Sequence, residues 1–275
     1  MDHPDKEAQN NFYASFGKTE ETVAEDVKTI KTWLQTQTHH PETMDDAKIR
    51  NMLHLCKFDV DKAKERIDNY YTFRTKYSGF FSDSNPKLPV LKTEMDIVYF
   101  CFHPKLVGGI HRAFFVKPKE KNTYTPINVT KLCFSVLEIR LQEDFMVDEV
   151  LIIDMSTFSF LDLCKLSPRL LITTLKIYRN IFSMRLNRLY LINSPSYITI
   201  WMSLFKLVFP AKIFNRFQAH KDSEVLKEVF PLEDLPQDYG GNGPSLSDLT
   251  DITKNKLAEY QERFDLLDTF TTEKA

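Results

Sequence analysis

Two short apolar runs, Val150-Leu-Ile-Ile-Asp154 and Arg188-Leu-Tyr-Leu-Ile-Asn193, constrain the fold of this chain most. Neither alternates apolar with polar residues, which is how a strand buried on both faces reads. Residues 168–182 between them read as a helix, and residues 128–142 before them as another. Arg112-Ala-Phe-Phe-Val116 predicts an earlier strand, and residues 211–220 a later one. Strands that alternate with helices imply an α/β fold, with parallel strands joined by crossover helices.

The N-terminal part has a different period. Residues 1–18 read as a loose arm. Thr19 can cap a helix whose first turn holds Glu20 and Glu21, where the helix dipole favours acids. Val23, Val27, Ile30 and Leu34 follow at helical spacing, and His39-His40-Pro41 breaks that helix. Ile49, Met52, Leu53 and Cys56 mark a second helix. Asp59 can cap a third, with the stripe Val60, Ala63, Ile67, Tyr70 and Tyr71. A loop rich in Ser, Asn and Pro follows at 82–89. Two domains are therefore expected: a helical bundle over 19–81 and an α/β domain over 87–265. A last amphipathic helix carries Leu249, Ile252, Leu257, Tyr260, Phe264 and Leu267.

Charge is distributed unevenly. Between Leu163 and Lys221 there is no Asp or Glu, although 38 acids in 275 residues would place about eight there. Ten basic residues fall in that window, among dense Leu, Ile, Phe, Trp and Met. An apolar face with a one-sided positive field suits an anionic membrane surface. A buried core with a basic solvated rim reads the same way, and composition does not separate the two. Residues 197–209 form a helix apolar nearly all round, as in a buried helix, one facing a membrane or one covering a cavity. It is too short to span a bilayer.

Several chemistries are missing from the sequence. It has no Gly-rich phosphate loop, no dinucleotide fingerprint and no G-x-S-x-G. Cys56, Cys101, Cys133 and Cys164 form no C-x-x-C pair, so neither a metal nor a redox centre is indicated; buried free thiols in a reducing compartment fit better. The seven His are scattered, and no metal or cofactor is expected. Asp154 ends a strand with no His or Cys placed to accompany it, and reads as a structural cap. With a pI near 6.4 and no nucleic-acid motif, nucleic acid is not an expected partner. The polar segment 1–10 is no secretory signal, so a cytoplasmic protein with transient, peripheral membrane contact is expected.

Three motifs carry a resemblance. They are Leu235-Pro-x-x-Tyr239-Gly240-Gly241, Leu191-Ile-Asn-Ser-Pro195 and Lys57-Phe-Asp-Val-Asp-Lys-Ala63. In order and spacing the chain resembles the CRAL-TRIO lipid-transfer family, in the branch of the α-tocopherol transfer protein and the cellular retinaldehyde-binding protein. That resemblance implies a three-helix bundle followed by an α/β sandwich, with a mixed-sheet floor and a mobile lid helix over one hydrophobic ligand. By position it puts Phe115, Ser135, Leu151, Ile153, Phe158, Ile177, Phe182, Met184, Leu186 and Leu189 at the cavity wall. It makes 197–209 the lid, with Ile198, Trp201, Met202, Phe205, Val208 and Phe209 as its working residues. Ser135 could hold a ligand hydroxyl. Arg185 and Arg216 match basic positions of a phosphoinositide-reading patch, with Arg188 and Lys212 as substitutes where the pattern differs. The implied function is a non-enzymatic, monomeric carrier of a tocopherol, retinoid or related isoprenoid between membranes. Phosphatidylinositol-type transfer and an adaptor with a vestigial cavity are the alternatives.

Overall fold

The computed structural model describes residues 1–182 and 185–272. Four helices open the chain: α1 (Lys6–Ala14), α2 (Glu20–Leu34), α3 (Asp46–Leu55) and α4 (Val60–Lys76). Each has a side-chain N-cap, from Asp5, Thr19, Asp45 and Asp59 in turn. These caps satisfy amide groups that a helix start leaves bare. The segment expected as a loose arm is thus helical. Phe12 and Tyr13 on α1 are buried against His54, Phe58 and Phe145, which anchor it from distant parts of the chain. Between α3 and α4, Lys57 and Phe58 both take left-handed backbone, at φ 57° and 61°. That turn drives Phe58 into the core.

One five-stranded sheet follows, in the order β1-β2-β3-β4-β5. β1 (Val98–Val107) pairs antiparallel with β2 (His111–Pro118). β3 (Asp148–Asp154), β4 (Arg185–Ile192) and β5 (Phe217–Ala219) add in parallel, so the sheet is mixed. β1 was not expected from the sequence. It carries Pro104, which only an edge strand tolerates, and its register slips between Phe102 and Leu106. The strand expected over 211–220 is mostly something else. Ala211–Phe214 is a helical turn, begun at Pro210, and β5 keeps three residues.

The parity of each strand divides the sheet's two faces. Cys101, Ala113, Phe115, Val150, Ile152, Tyr190 and Ile192 pack on one side, with Phe230, Leu235, Tyr239, Leu246 and Leu249. That side is closed by the helix Leu246–Glu259. Phe100, Phe114, Leu189 and Leu191, with Val116, Leu151 and Ile153, face the other way. There the long helix Pro126–Glu143 and the helix Pro168–Ile177, which runs on as a π turn through Phe182, lie alongside.

Asp154, at the end of β3, is a structural junction. It takes Lys117 Nζ at 3.0 Å, Asn193 Nδ2 at 3.0 Å and the Ser156 amide at 2.9 Å. Burial alone would raise its pKa, and these donors outweigh burial and lower it. Near it the Leu235–Gly241 turn closes tightly. A Cβ on Gly241 would stand 1.9 Å from the Leu235 carbonyl oxygen. Gly241→Ala is expected to cost about 3 kcal/mol or more, since backbone cannot yield as a side chain does, as read by urea unfolding.

Glu138, on the long helix and fully buried, binds the bundle to the sheet domain. It meets Lys48 Nζ at 2.9 Å, Arg74 Nη2 at 3.1 Å and Arg263 Nε at 2.8 Å, and the Tyr70 hydroxyl donates to it. Burial pushes its pKa up, but Lys48, Arg263, Arg74 and Tyr70 hold it well below the usual carboxylate range. A depressed folded pKa contributes stability above the unfolded value of about 4. That contribution fades as pH falls from there. Asp144, between Arg140 and Arg112, is held at about 2 and adds to the same acid sensitivity. Glu138→Gln should destabilise by about 3–5 kcal/mol at pH 7, because buried Lys48 and Arg74 and half-buried Arg263 lose their shared anion. It should also flatten the loss of stability below about pH 4, measured by circular dichroism across a pH series.

Candidate ligand-binding cavity

A cavity of about 720 Å³ lies between the sheet and its covering helices. Its floor is Phe100, Phe114, Val116, Leu151, Ile153, Leu189 and Leu191. The long helix supplies one wall through Val129, Cys133, Phe134 and Leu137. Leu170, Leu171, Thr174 and Leu175 supply another. The remaining cover is the apolar helix Ile198–Val208, with Trp201 and Phe205 inward and Phe209 just beyond. Phe158, Trp201, Phe205, Phe217 and Phe209 form a chain of ring contacts, with centroids 4.9–5.8 Å apart. At the N-terminal end of this helix the Tyr197 hydroxyl donates to the Phe158 carbonyl at 2.7 Å.

The residues expected at the wall divide. Leu151, Ile153, Phe158, Leu186 and Leu189 line the cavity. Phe115 does not. It sits on the opposite face, stacked on Tyr239, because neighbours on a strand point to opposite sides. Ser135 is turned away as well, its hydroxyl donating to the carbonyls of Lys131 at 3.1 Å and Ser84 at 3.3 Å. Ile177 and Phe182 are fully buried in the core behind the wall, where Phe182 stacks on Phe134. Met184 lies outside the described residues. On the covering helix, Trp201 and Phe205 are buried inward, while Ile198, Met202 and Val208 are half-buried at its edges.

Polar groups in the cavity are few. Tyr124 Oη, Thr174 Oγ1 and Trp201 Nε1 all belong to lining residues and are buried with no hydrogen-bond partner among the described residues. Such groups await a partner, since burying them bare is costly. Glu149, Arg140 and Tyr178 form a second polar cluster. Arg140 Nη1 lies 2.9 Å from Glu149, and Tyr178 donates to Glu149. Burial raises the Glu149 pKa against these partners. Burial also pushes the Cys133 thiol up to about 12, so it stays protonated at neutral pH and offers no nucleophile.

Near the start of β4 the lining turns basic, with Lys57, Arg179, Arg185, Lys212 and Arg216. None of the five has an ion-pair partner among the described residues. Arg185 stacks over Phe16 at 5.2 Å, and Arg216 donates to the Leu186 carbonyl. Burial lowers the Arg185 pKa, with Asp148 opposing and Arg216 adding to the effect. Arg188, expected in this set, is instead exposed and does not line the cavity. Lys57 and Arg179 were missed. Lys57 falls within a motif that read only as a mark of the fold. Tyr124 and Thr174 were also missed, since nothing in their local pattern separates them from loop and helix surface.

Outside, Ile200 and Leu207 on the covering helix are 48% and 85% exposed. Phe160, Leu161 and Ile172 on neighbouring helices are also exposed. No helix among the described residues is long and apolar enough to cross a membrane. All four cysteines are free, but only Cys56 and Cys101 are buried; Cys133 is half-buried and Cys164 is exposed.

Comparison with known proteins fits this geometry. The family model for the CRAL/TRIO domain matches residues 110–241, and that for a Pinta-like UBA domain matches residues 19–91. The chain is 23% identical over 227 residues to an alpha-tocopherol transfer protein-like protein of Mus musculus, covering 80% of this chain and 66% of that one. It is also 23% identical over 212 residues to Clavesin-2 of Homo sapiens, covering 73% and 63%. The chain thus spans about two thirds of the length of these relatives. The crystal structure of Sfh5 shares the fold, with a TM-score of 0.53 at 13% identity over 97% of this chain and all of that one. Residues 110–241 thus match the CRAL/TRIO domain, behind a helical region that matches a UBA-like domain, and the helices followed by a mixed-sheet α/β unit agree with both matches.

Proposed function

We propose that this chain is a non-enzymatic carrier of one hydrophobic small molecule, a tocopherol, retinoid or related isoprenoid. It takes its cargo from one membrane and delivers it to another. The observation that supports this most is the apolar cavity under a helix that is apolar on both its inner and its outer side. Inside, that helix touches cargo; outside, Ile200 and Leu207 meet lipid. Burying a tail contributes about 0.8 kcal/mol per CH₂, so ten or more carbons supply ample binding energy. The unpartnered Tyr124, Thr174 and Trp201 groups suit a cargo with one or two oxygens.

The basic end favours a second cargo class, a phosphate-bearing lipid such as phosphatidylinositol. Lys57, Arg179, Arg185, Lys212 and Arg216 would take its headgroup. The same residues would orient the protein on anionic leaflets, each contributing on the order of 1 kcal/mol. Free thiols accord with work on a cytoplasmic membrane face.

Native mass spectrometry with organic extraction, on protein from its own source, tests the carrier reading. A single stoichiometric hydrophobic species supports it and names the cargo. Protein that is empty, and that refuses retinoids, tocopherols and phosphoinositides alike, points to an adaptor. Ile200→Asp with Leu207→Asp should slow transfer between liposomes, with stability changed by no more than about 0.5 kcal/mol per exposed site. Equal transfer by this variant would remove the outer face of the covering helix from the mechanism. Ile153→Trp should fill the cavity and cut cargo uptake, and its melting temperature reports whether the fold survives.

A further inference from the structure

His39 and His40 lie in the loop that follows α2. Both imidazoles point across the bundle at one carboxylate oxygen on α4. His39 Nε2 lies 2.8 Å from Asp68 Oδ1, and His40 Nε2 lies 3.1 Å from the same atom. All three potential ligand atoms fall within 4.8 Å of one another. Zinc bonds of about 2.0–2.1 Å in tetrahedral geometry need ligand atoms about 3.3 Å apart, so modest side-chain shifts would admit an ion. Two imidazoles and one carboxylate match first-row transition dications, whereas Ca²⁺ and Mg²⁺ prefer all-oxygen sites.

The surroundings are built for one fixed and two accessible ligands. His40 has a 2% exposed side chain, held between Tyr71 at 4.7 Å and Trp33 at 5.9 Å. His39 and Asp68 are 55% and 43% exposed, which leaves a path for the ion and for a water in the fourth position. His40 Nδ1 has no hydrogen-bond partner among the described residues, so ring packing, not an outer hydrogen bond, orients this ligand. Without that outer bond the affinity falls at the modest end for such sites.

We propose that His39, His40 and Asp68 form a binding site for a transition-metal dication such as Zn²⁺, which fastens the α2–α3 loop to α4. The same loop carries Glu42, which holds Arg263 at 2.5 and 2.6 Å, and Arg263 also meets Glu138. A bound ion therefore stabilises the loop that completes the buried Glu138 cluster. No part of this depends on what the cavity carries.

The test uses the full chain, stripped with a chelator and dialysed. ZnCl₂ titrated by calorimetry should show one saturable site, and Zn²⁺ should raise the melting temperature. CoCl₂ should give a visible absorption band of low-coordinate Co²⁺. His39→Ala and Asp68→Asn should each weaken binding about tenfold or more, and both variants should fold, since these side chains are exposed. Cys164→Ser, which removes the exposed thiol, should leave binding unchanged. No saturable binding overturns the site. So does binding that survives both His39→Ala and Asp68→Asn, or that is lost with Cys164→Ser.

Discussion

A single buried carboxylate, Glu138, shared by Lys48, Arg74 and Arg263, fixes how the parts of this molecule fit together. Taking a charge out of water costs several kcal/mol per ion, and only complete geometry offsets it. The cations come from α3, α4 and the C-terminal helix Gln261–Thr272, the anion from the long helix beside the sheet. If any one element is misplaced, a bare charge remains inside. The bundle therefore does not sit beside the sheet domain as an optional attachment; its docking completes a cluster that is poorly tolerated half-formed.

That cluster bears directly on the cavity. The helix that carries Glu138 also supplies Cys133, Phe134 and Leu137 to the cavity wall. It is anchored from behind by the ion cluster and lower down by Arg140, Asp144 and Arg112. The floor is held by the β ladder and by Asp154. Among the described residues, the helix Ile198–Val208 has no comparable anchor. Its inward contacts are aromatic rings, and the Tyr197 hydroxyl bond ties only one end. Apolar burial is non-directional and can be exchanged for lipid contact, whereas a buried ion pair cannot. The walls of this cavity thus differ in the type of contact that holds each.

Much of this could be read from the sequence. β3 and β4 announce themselves because both of their faces are buried, so apolar residues run without a break. The covering helix is legible for a related reason, being apolar on more sides than a surface helix would be. What failed depends on partners far along the chain. α1 looks like a polar arm until Phe58 and Phe145 arrive to bury Phe12. β1 hides behind Pro104, which is acceptable only at an edge. The resemblance puts Phe115 at the cavity wall, but a difference of a single residue in strand parity moves a side chain to the far face of the sheet, where Phe115 stands. The resemblance also implies Ser135, but a serine in a helix can satisfy itself on a nearby carbonyl, as this one does. The pairing of His39 and His40 with Asp68 spans 28 or more residues and leaves no local trace.

The arrangement of stiff and soft walls has a kinetic consequence. The far face of the floor is covered by the helix Leu246–Glu259, and the long helix is pinned by ions, which leaves the helix Ile198–Val208 as the softest cover among the described residues. Under the proposed carrier function, cargo would enter and leave past that helix. Its residence time in buffer would then report how often the helix lifts as well as how well the cargo fits.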